Sequence, residues 1–319
     1  MQFKTTLVTG GSGFIGSHIV DELLSRGARV IVYDNFTTGR REFLPAEHPN
    51  LQIVKGDVLD TQALQAAMKG CEFVFHIQAN ADVRGGKDKP KVDLDQNTIC
   101  TWSALEAARL QKVKGFAFAS SSAIYGEPEV FPTPETYAPK QTSLYGASKL
   151  AGEAMIQAYS EYYDIRSFSF RFVSWMGERY THGIVFDVLK KLRQDSKRLP
   201  LLGDGTQKKS YLYVKDGVSG IMRAIEKSPD LKNVYNLGHD NFLTVVEVVR
   251  VILDELKLKD VPLEFAGGKR GWVGHSPLVH LDTSLIKSLG WRPTTAIEES
   301  IRRTVRYLVE NPKLLEARV

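Results

Sequence analysis

Thr9-Gly10-Gly11-Ser12-Gly13-Phe14-Ile15-Gly16 decides how this chain folds. The three spaced glycines, Gly10, Gly13 and Gly16, follow a short apolar run and open a helical pattern over 14–26. Gly10 permits a tight turn, Gly13 lets backbone approach a pyrophosphate, and Gly16 lets the helix pack closely on the strand. The first N–H groups of that helix, from Phe14 and Ile15 onward, and its positive dipole end then face phosphate. Asp34 lies eighteen residues beyond Gly16 at the end of the next apolar run. A carboxylate there accepts hydrogen bonds from an adenosine ribose and repels a 2′-phosphate, so it favours NAD over NADP. Arg40 and Arg41 follow as the residues that would serve a 2′-phosphate, or else stand exposed at the start of the next helix. Asp57, in Gly56-Asp57-Val58, reads equally as a ligand for the adenine amino group and as a turn or cap residue.

Working outward, short runs rich in Val, Ile, Leu and Phe predict strands over 5–9, 29–34, 51–55, 73–76 and 115–119. Helical patterns over 14–26, 61–69 and 94–110 lie between them. This alternation predicts an α/β fold, a doubly wound parallel sheet with helices on both faces. After about residue 170 the rhythm breaks. Helices are expected over 184–194, 244–256 and 297–308 and a loop over 267–277, as in a smaller C-terminal α+β lobe closing over the sheet. The chain divides as 1–172 for the cofactor and 173–319 mainly for substrate, with some later segments returning to the first unit.

Composition agrees with two such units: 319 residues, 43% apolar and 25% charged, exclude disorder, collagen-like repeats and a disulfide scaffold. The net charge of +5 is spread along the chain, which suits an anionic small molecule better than nucleic acid. Cys71 and Cys100 stand in no metal or disulfide pattern, and no two of the seven histidines have ligand spacing, so no metal is expected. No apolar run is long enough for a membrane, and the strand at 3–9 leaves no room for a signal peptide, so the expected location is cytoplasmic.

Ser121, Tyr145 and Lys149 are the residues suited to chemistry. Tyr145 and Lys149 stand four apart in a helix expected over 144–163, which puts both on one face. A nearby ammonium stabilises a phenolate, so the pair suggests a tyrosine tuned as general base toward a sugar hydroxyl. Ser121 lies in Ala119-Ser120-Ser121-Ser122-Ala123-Ile124-Tyr125-Gly126, leaving the fifth strand where ligands bind in such sheets.

With Thr9–Gly16, Asp34-Asn35, Gly56-Asp57, Phe75-His76, Ser120–Gly126, Tyr145–Lys149, Arg171, Gly203-Asp204-Gly205, Arg270 and Leu289-Gly290-Trp291 together, the sequence resembles the extended short-chain dehydrogenase/reductases. Among these it is similar to the nucleotide-sugar 4-epimerases of the UDP-glucose 4-epimerase type. The resemblance covers essentially the whole chain and implies a Rossmann-type first domain that binds NAD through Gly10, Gly13, Phe14, Ile15, Gly16, Asp34, Asn35, Asp57, Val58, Tyr145 and Lys149. It implies that Tyr145 takes the proton of the sugar 4-hydroxyl while C4 passes hydride to NAD⁺, that Ser121 bonds the 4-oxygen, and that Lys149 also grips the nicotinamide ribose. The cofactor would be retained through each cycle.

For the nucleotide-diphosphate sugar, the resemblance implies substrate contacts from Ser121, Ser122, Tyr145, Ser174, Lys209, Tyr211 and Arg270. Lys209 stands where the family usually has Arg, losing the bidentate fork, and Ser174 stands where it has Asn. Val279, at a position whose bulk limits the C2 substituent, leaves N-acetyl sugars open alongside UDP-glucose, UDP-galactose and UDP-uronic acids. Related dehydratases carry an Asp-Glu pair where this chain has Ser122-Ala123. A dehydratase or reductase of the same superfamily and a catalytically idle NAD(P)-binding sensor are the competing readings. His76 is expected to be packed, and His182 and His275 to line the sugar pocket. The helices near 94–110 and 144–163 are the pair through which the family forms homodimers.

Overall fold

The computed structural model describes residues 3–80, 82–272, 274 and 276–316, so His275 lies outside the described residues. Seven parallel strands form the central sheet: β1 (Thr5–Thr9), β2 (Arg29–Asp34), β3 (Leu51–Lys55), β4 (Phe73–His76), β5 (Gly115–Ser121), β6 (Arg166–Phe172) and, after four short strands, β11 (Lys232–Leu237). Their order is β11-β6-β5-β4-β1-β2-β3. The chain winds outward from β1 to β3, returns to the other side of β1 with β4, and winds out again. Strand order therefore reverses between β1 and β4, and the crevice outside their carboxyl ends is where such sheets bind ligands.

The period of two along each strand divides the core between the two faces. Val8, Val30, Val32, Phe73, Phe75 and Phe170 lie in one cluster, and Leu7, Ile31, Tyr33, Val74, Phe116 and Phe118 in the other. Helix α1 (Phe14–Ser25) follows the glycine turn. Helices α2 (Thr61–Ala67), α4 (Cys100–Leu110) and α5 (Leu144–Tyr163) pack side by side. Ser143 caps α5 by accepting the Gly146 N–H at 3.0 Å, and Asp164, at φ 53°, ends it.

Six elements depart in their bounds from the sequence reading. Strand β5 runs on to Ser121 because Ser120 and Ser121 pair in register with Arg171 and Phe172. The helix expected over 94–110 is interrupted: α3 (Pro90–Asp93) passes into a π-helix over Leu94–Ile99 before α4 begins. The wide turn brings the Asn97 amide inside, where Asn97 is 1% exposed and bonded on both ends. The helices expected over 14–26, 61–69 and 244–256 stop one to two residues short, as α1, α2 and α8 (Val245–Glu255), because their last residues are caps. The terminal helix α10 (Ile297–Glu310) runs two residues further than expected.

The remaining short strands are β7 (Ser174–Met176), β8 (Leu199–Leu201), β9 (Lys208–Lys209), β10 (Tyr211–Tyr213), β12 (Leu243–Thr244), β13 (Leu263–Phe265) and β14 (Leu278–Val279). They form three small sheets, β10-β7, β12-β9-β14 and β13-β8. With α6 (Ile184–Gln194), α7 (Val214–Lys227), α8, α9 (Ser284–Ser288) and α10 they complete the fold. Among the described residues no helix is long and apolar enough to cross a membrane.

Candidate active site

The glycine turn sits against the start of the loop after β4. Gly10 has φ 66°, and a Cβ there would stand 2.8 Å from the Gln78 backbone. A Cβ on Gly16 would collide with the Gly10 carbonyl oxygen, so α1 enters closer to the turn than any other residue permits. Asp34 accepts the Ser12 N–H at 3.0 Å through one carboxylate oxygen and the Phe36 N–H at 2.8 Å through the other. Those bonds fix the carboxylate beside the turn.

A cleft next to it is lined by Tyr33, Asp34, Asn35, Gly56, Asp57, Val58 and Gln78. Asp57 is a turn residue that also lies in the cleft wall. It accepts the Leu59 N–H at 2.9 Å as a turn residue, and it takes the Asn35 amide at 3.0 Å as part of the cleft wall. Arg41 spends its guanidinium on the carbonyls of Leu44, Pro45 and Ala46, and Arg40 pairs with Glu42 at 3.2 Å. Both arginines are thus engaged with their own loop. The Phe14 ring packs edge-on against Tyr180 rather than into the cleft.

These residues fit a dinucleotide. The turn has no room for side chains, and the Ser12 hydroxyl is buried within it without a protein partner, as expected of a group meant for an outside acceptor. Asp34, Asn35, Asp57 and Val58 would hold the adenosine half, and the α1 N-terminus the pyrophosphate.

Ser121, Tyr145 and Lys149 converge at the carboxyl end of β5. Burial pushes the Tyr145 phenol up to about 12, opposed by the Ser121 hydroxyl and added to by Asp93, and the Ser121 hydroxyl also accepts the Ala123 N–H at 3.1 Å. Lys149 is 1% exposed and donates to the Ala119 carbonyl at 2.8 Å. Its ammonium lies 4.8 Å from the Phe118 ring centroid and 5.9 Å from that of Tyr145. Burial lowers Lys149 to about 7, opposed by Asp93, Cys100 and Glu153.

The tuning of Tyr145 expected from helical spacing is not what the structure shows. Lys149 does not pull the Tyr145 phenol down here; the desolvation that surrounds both residues favours their neutral forms. Four-residue spacing brings the side chains together, but the ammonium is directed at a β5 carbonyl.

On the substrate side, Lys209 on β9 lies 5.3 Å from the Trp272 ring, and Arg84 approaches the same indole at 5.7 Å. Burial and the Arg84 charge bring Lys209 down to about 8. Ser174 is exposed and pairs in register with Tyr211, and Val279 with Lys209. The Tyr211 ring belongs to the core and is 3% exposed. Ser122 opens the turn after β5. Arg270 pairs with Glu127 at 2.5 Å, joining the loop before β14 to the loop after the serine run.

His76 is packed as expected, fully buried between Thr9 and Thr101 at 2.8 and 3.2 Å. His182 stacks on Tyr180.

Three groups escaped the sequence reading. Asp93 and Asn97 are each 1% exposed behind Tyr145 and Lys149; Asp93 stands just before the helical pattern expected over 94–110, and nothing in the spacing marked either residue. Gln78 closes over Gly10 and is visible only in space. Glu153 continues the Tyr145–Lys149 ladder by four more residues and pairs with buried Arg171 at 2.8 Å.

The comparisons with known proteins follow the same lines. The model of the NAD dependent epimerase/dehydratase family matches residues 6–238. A putative UDP-glucose 4-epimerase of Methanocaldococcus jannaschii is 31% identical, over 96% of this chain and 98% of its own. The structure of a Thermotoga maritima UDP-glucose 4-epimerase with UDP-glucose superposes with a TM-score of 0.87 at 31% identity, covering 97% of this chain and 99% of that one. A Thermus thermophilus UDP-glucose 4-epimerase in complex with NAD gives 0.84 at 31% identity, over 96% and 99%. Similarity that runs the length of both chains, on a sheet whose switch point carries the glycine turn and the Ser121–Tyr145–Lys149 cluster, makes this chain a member of the NAD-dependent epimerase/dehydratase family.

Proposed function

We propose that this protein is an NAD-dependent 4-epimerase of UDP-hexoses, working through a transient 4-keto sugar. The observation that carries the reading is the convergence of Ser121, Tyr145 and Lys149 at the end of β5, beside the crevice that holds the glycine turn. NAD, held by the glycine turn and Asp34, would supply the hydride acceptor for the sugar C4. The chain's own residues move the proton. Tyr145 takes it from the 4-hydroxyl as the C4–H bond breaks, and gives it back when the alcohol reforms. Ser121 uses a lone pair on the Ala123 N–H and hydrogen-bonds Tyr145, so its proton is assigned to turn from the phenol to the 4-oxygen when the sugar binds. Lys149, held against the Ala119 carbonyl one helical turn from Tyr145, is assigned to the nicotinamide ribose.

Ser122 and Ala123 offer no ionisable group after Ser121. Elimination of water across the sugar ring would lack its acid and base, which favours epimerase over dehydratase. Lys209 and Arg270 are assigned to the diphosphate, with Arg270 exchanging Glu127 for phosphate oxygens. Half-buried Val279, in register with Lys209, leaves the C2 side of the sugar open enough to include N-acetylhexosamines.

Residues 1–172 are assigned to cofactor and 173–319 mainly to substrate. We assign the protein to the cytoplasm, where the unpaired, buried Cys71 and Cys100 stay reduced. A homodimer is assigned to the face where Leu94, Ile99, Trp102 and Leu110 are 38–50% exposed beside Leu144, Tyr162 and Tyr163 of α5.

The test is proton NMR of the purified protein with a panel of UDP-sugars and no added cofactor. A C4 epimer should accumulate to a stable two-component mixture, and Tyr145→Phe should abolish it while leaving NAD bound. Unchanged sugars throughout, or full turnover by Tyr145→Phe, would overturn the assignment.

A further inference from the structure

Asp93 is a buried carboxylate that the mechanism above does not use. It lies where α3 gives way to the π-helix, 1% exposed. One oxygen accepts the side-chain amides of Asn80 at 2.9 Å and Asn97 at 3.2 Å. The other is buried with no protein partner, against Gly86, where any side chain would collide with it. Asn97 also donates to the Ser148 hydroxyl at 2.9 Å, and Ser148 donates to the Tyr145 carbonyl at 2.8 Å. A continuous set of hydrogen bonds therefore ties Asp93 to the first turn of α5. A buried carboxylate is costly, and a π-turn adds a wider and less stable backbone, so their joint presence beside a reactive pair calls for a role.

We propose that Asp93 is a positioning residue for the Tyr145–Lys149 pair: the π-helix holds its carboxylate behind them, and that charge sets the pH range in which the pair moves a proton. The charges around the pair agree. Asp93 is the largest influence keeping Lys149 charged, ahead of Cys100 on α4 and Glu153 on α5, and it also disfavours the Tyr145 phenolate. His76 on β4 faces Lys149 and burial keeps it neutral. Asp93 itself is raised by burial and by Asp82, and is held down by Asn80, Lys149 and Asn97.

The direction of the effect is fixed by these signs. Asp93→Asn keeps an acceptor for the two amides and removes the charge. Lys149 then loses its proton at lower pH, and Tyr145 ionises at lower pH. Both limbs of the kcat profile should move acidward together, by about one unit, with KM for the UDP-sugar within about twofold.

The inference rests on Tyr145 as proton acceptor, so the test includes a readout free of turnover. The alkaline ultraviolet titration of the Tyr145 phenol, obtained by subtracting the same titration of Tyr145→Phe, should move acidward in Asp93→Asn. If that titration moves while no nucleotide sugar is turned over, the proposed function fails and the role of Asp93 stands. If kcat falls with both limbs and the phenol titration unmoved, Asp93 is structural only and the proposal is overturned. Should Asp93→Asn not fold, Asp93→Ser carries the test. It removes the same charge with a smaller polar side chain, so it should also shift the phenol titration acidward, and an unmoved titration overturns the proposal.

Discussion

Glu153→Gln gives the sharpest test of how the active-site helix is held. Glu153 lies one helical turn beyond Lys149, and its side chain and that of Arg171 are only 2% and 8% exposed. Arg171 donates to Glu153 at 2.8, 3.1 and 3.3 Å, and Ser120 donates to the same carboxylate. The guanidinium also reaches the Tyr125 hydroxyl at 2.9 Å and the Glu135 carbonyl at 2.7 Å, while Tyr125 donates to Asn236. The group thus ties β5, β6, α5 and β11 together directly beneath Ser121. Replacing the carboxylate with an amide keeps the shape and leaves Arg171 as a buried charge without its hydrogen-bonded counter-charge. Breaking a buried pair in this way costs about 3–5 kcal/mol, and the surviving amide oxygen keeps the expectation near the lower end. Unfolding entropy scaled to 319 residues is about 0.7 kcal/mol/K. The melting midpoint should therefore fall by about 4–7 °C, read by calorimetry on protein stripped of nucleotide so that cofactor linkage does not mask it. Arg171→Gln should cost a similar amount. The double variant should lose clearly less than both together, with coupling above about 1.5 kcal/mol. A shift under about 1 °C in Glu153→Gln, or strict additivity in the cycle, would refute the reasoning.

Other expectations follow from particular contacts. Gly16→Ala places a methyl against the Gly10 carbonyl, so α1 must retreat from the turn. The purified variant should bind NAD about a hundredfold more weakly, checked by the nucleotide released on denaturation, and stoichiometric NAD would contradict it. His76 and His18 are brought down by burial to about 3 and about 4 from an ordinary 6.5. The unfolded chain then binds more protons than the native one below pH 6.5, so stability present above that value is lost as pH falls through the folded values. Each histidine contributes a slope of about 1.4 kcal/mol per pH unit in that window. Melting midpoints between neutral pH and the folded values should show it, and His76→Gln should flatten the dependence; an unchanged slope would count against a neutral His76.

What the sequence discloses and what it withholds divide along a physical line. The sheet was legible because buried parallel strands must be continuous apolar runs, and because a glycine triplet before a helical pattern has few other uses. The Tyr145–Lys149 pair was legible because helical spacing alone makes four-apart residues neighbours. Sequence spacing does not carry the dielectric. Nothing in Tyr-Gly-Ala-Ser-Lys says that both side chains would be desolvated, so the expected lowering of the tyrosine came out reversed. The π-helix was hidden for a related reason. Its period differs from an α-helix by one residue over a single turn, and only the burial of Asn97 and Asp93 reveals which way the turn was widened. Arg171 and Glu153 show the same limit. They stand eighteen residues apart on a strand and a helix, and their ion pair exists because β6 lies beside β5 under α5. Contacts set by chain period can be read from spacing, whereas contacts set by how the layers stack require the fold. The reactive groups of this site belong to the first kind, and the charges that tune them belong to the second. Substitutions at Asp93 and Glu153 should therefore change the pH range and stability of the site without removing its chemistry, whereas Tyr145→Phe removes the chemistry and leaves the fold.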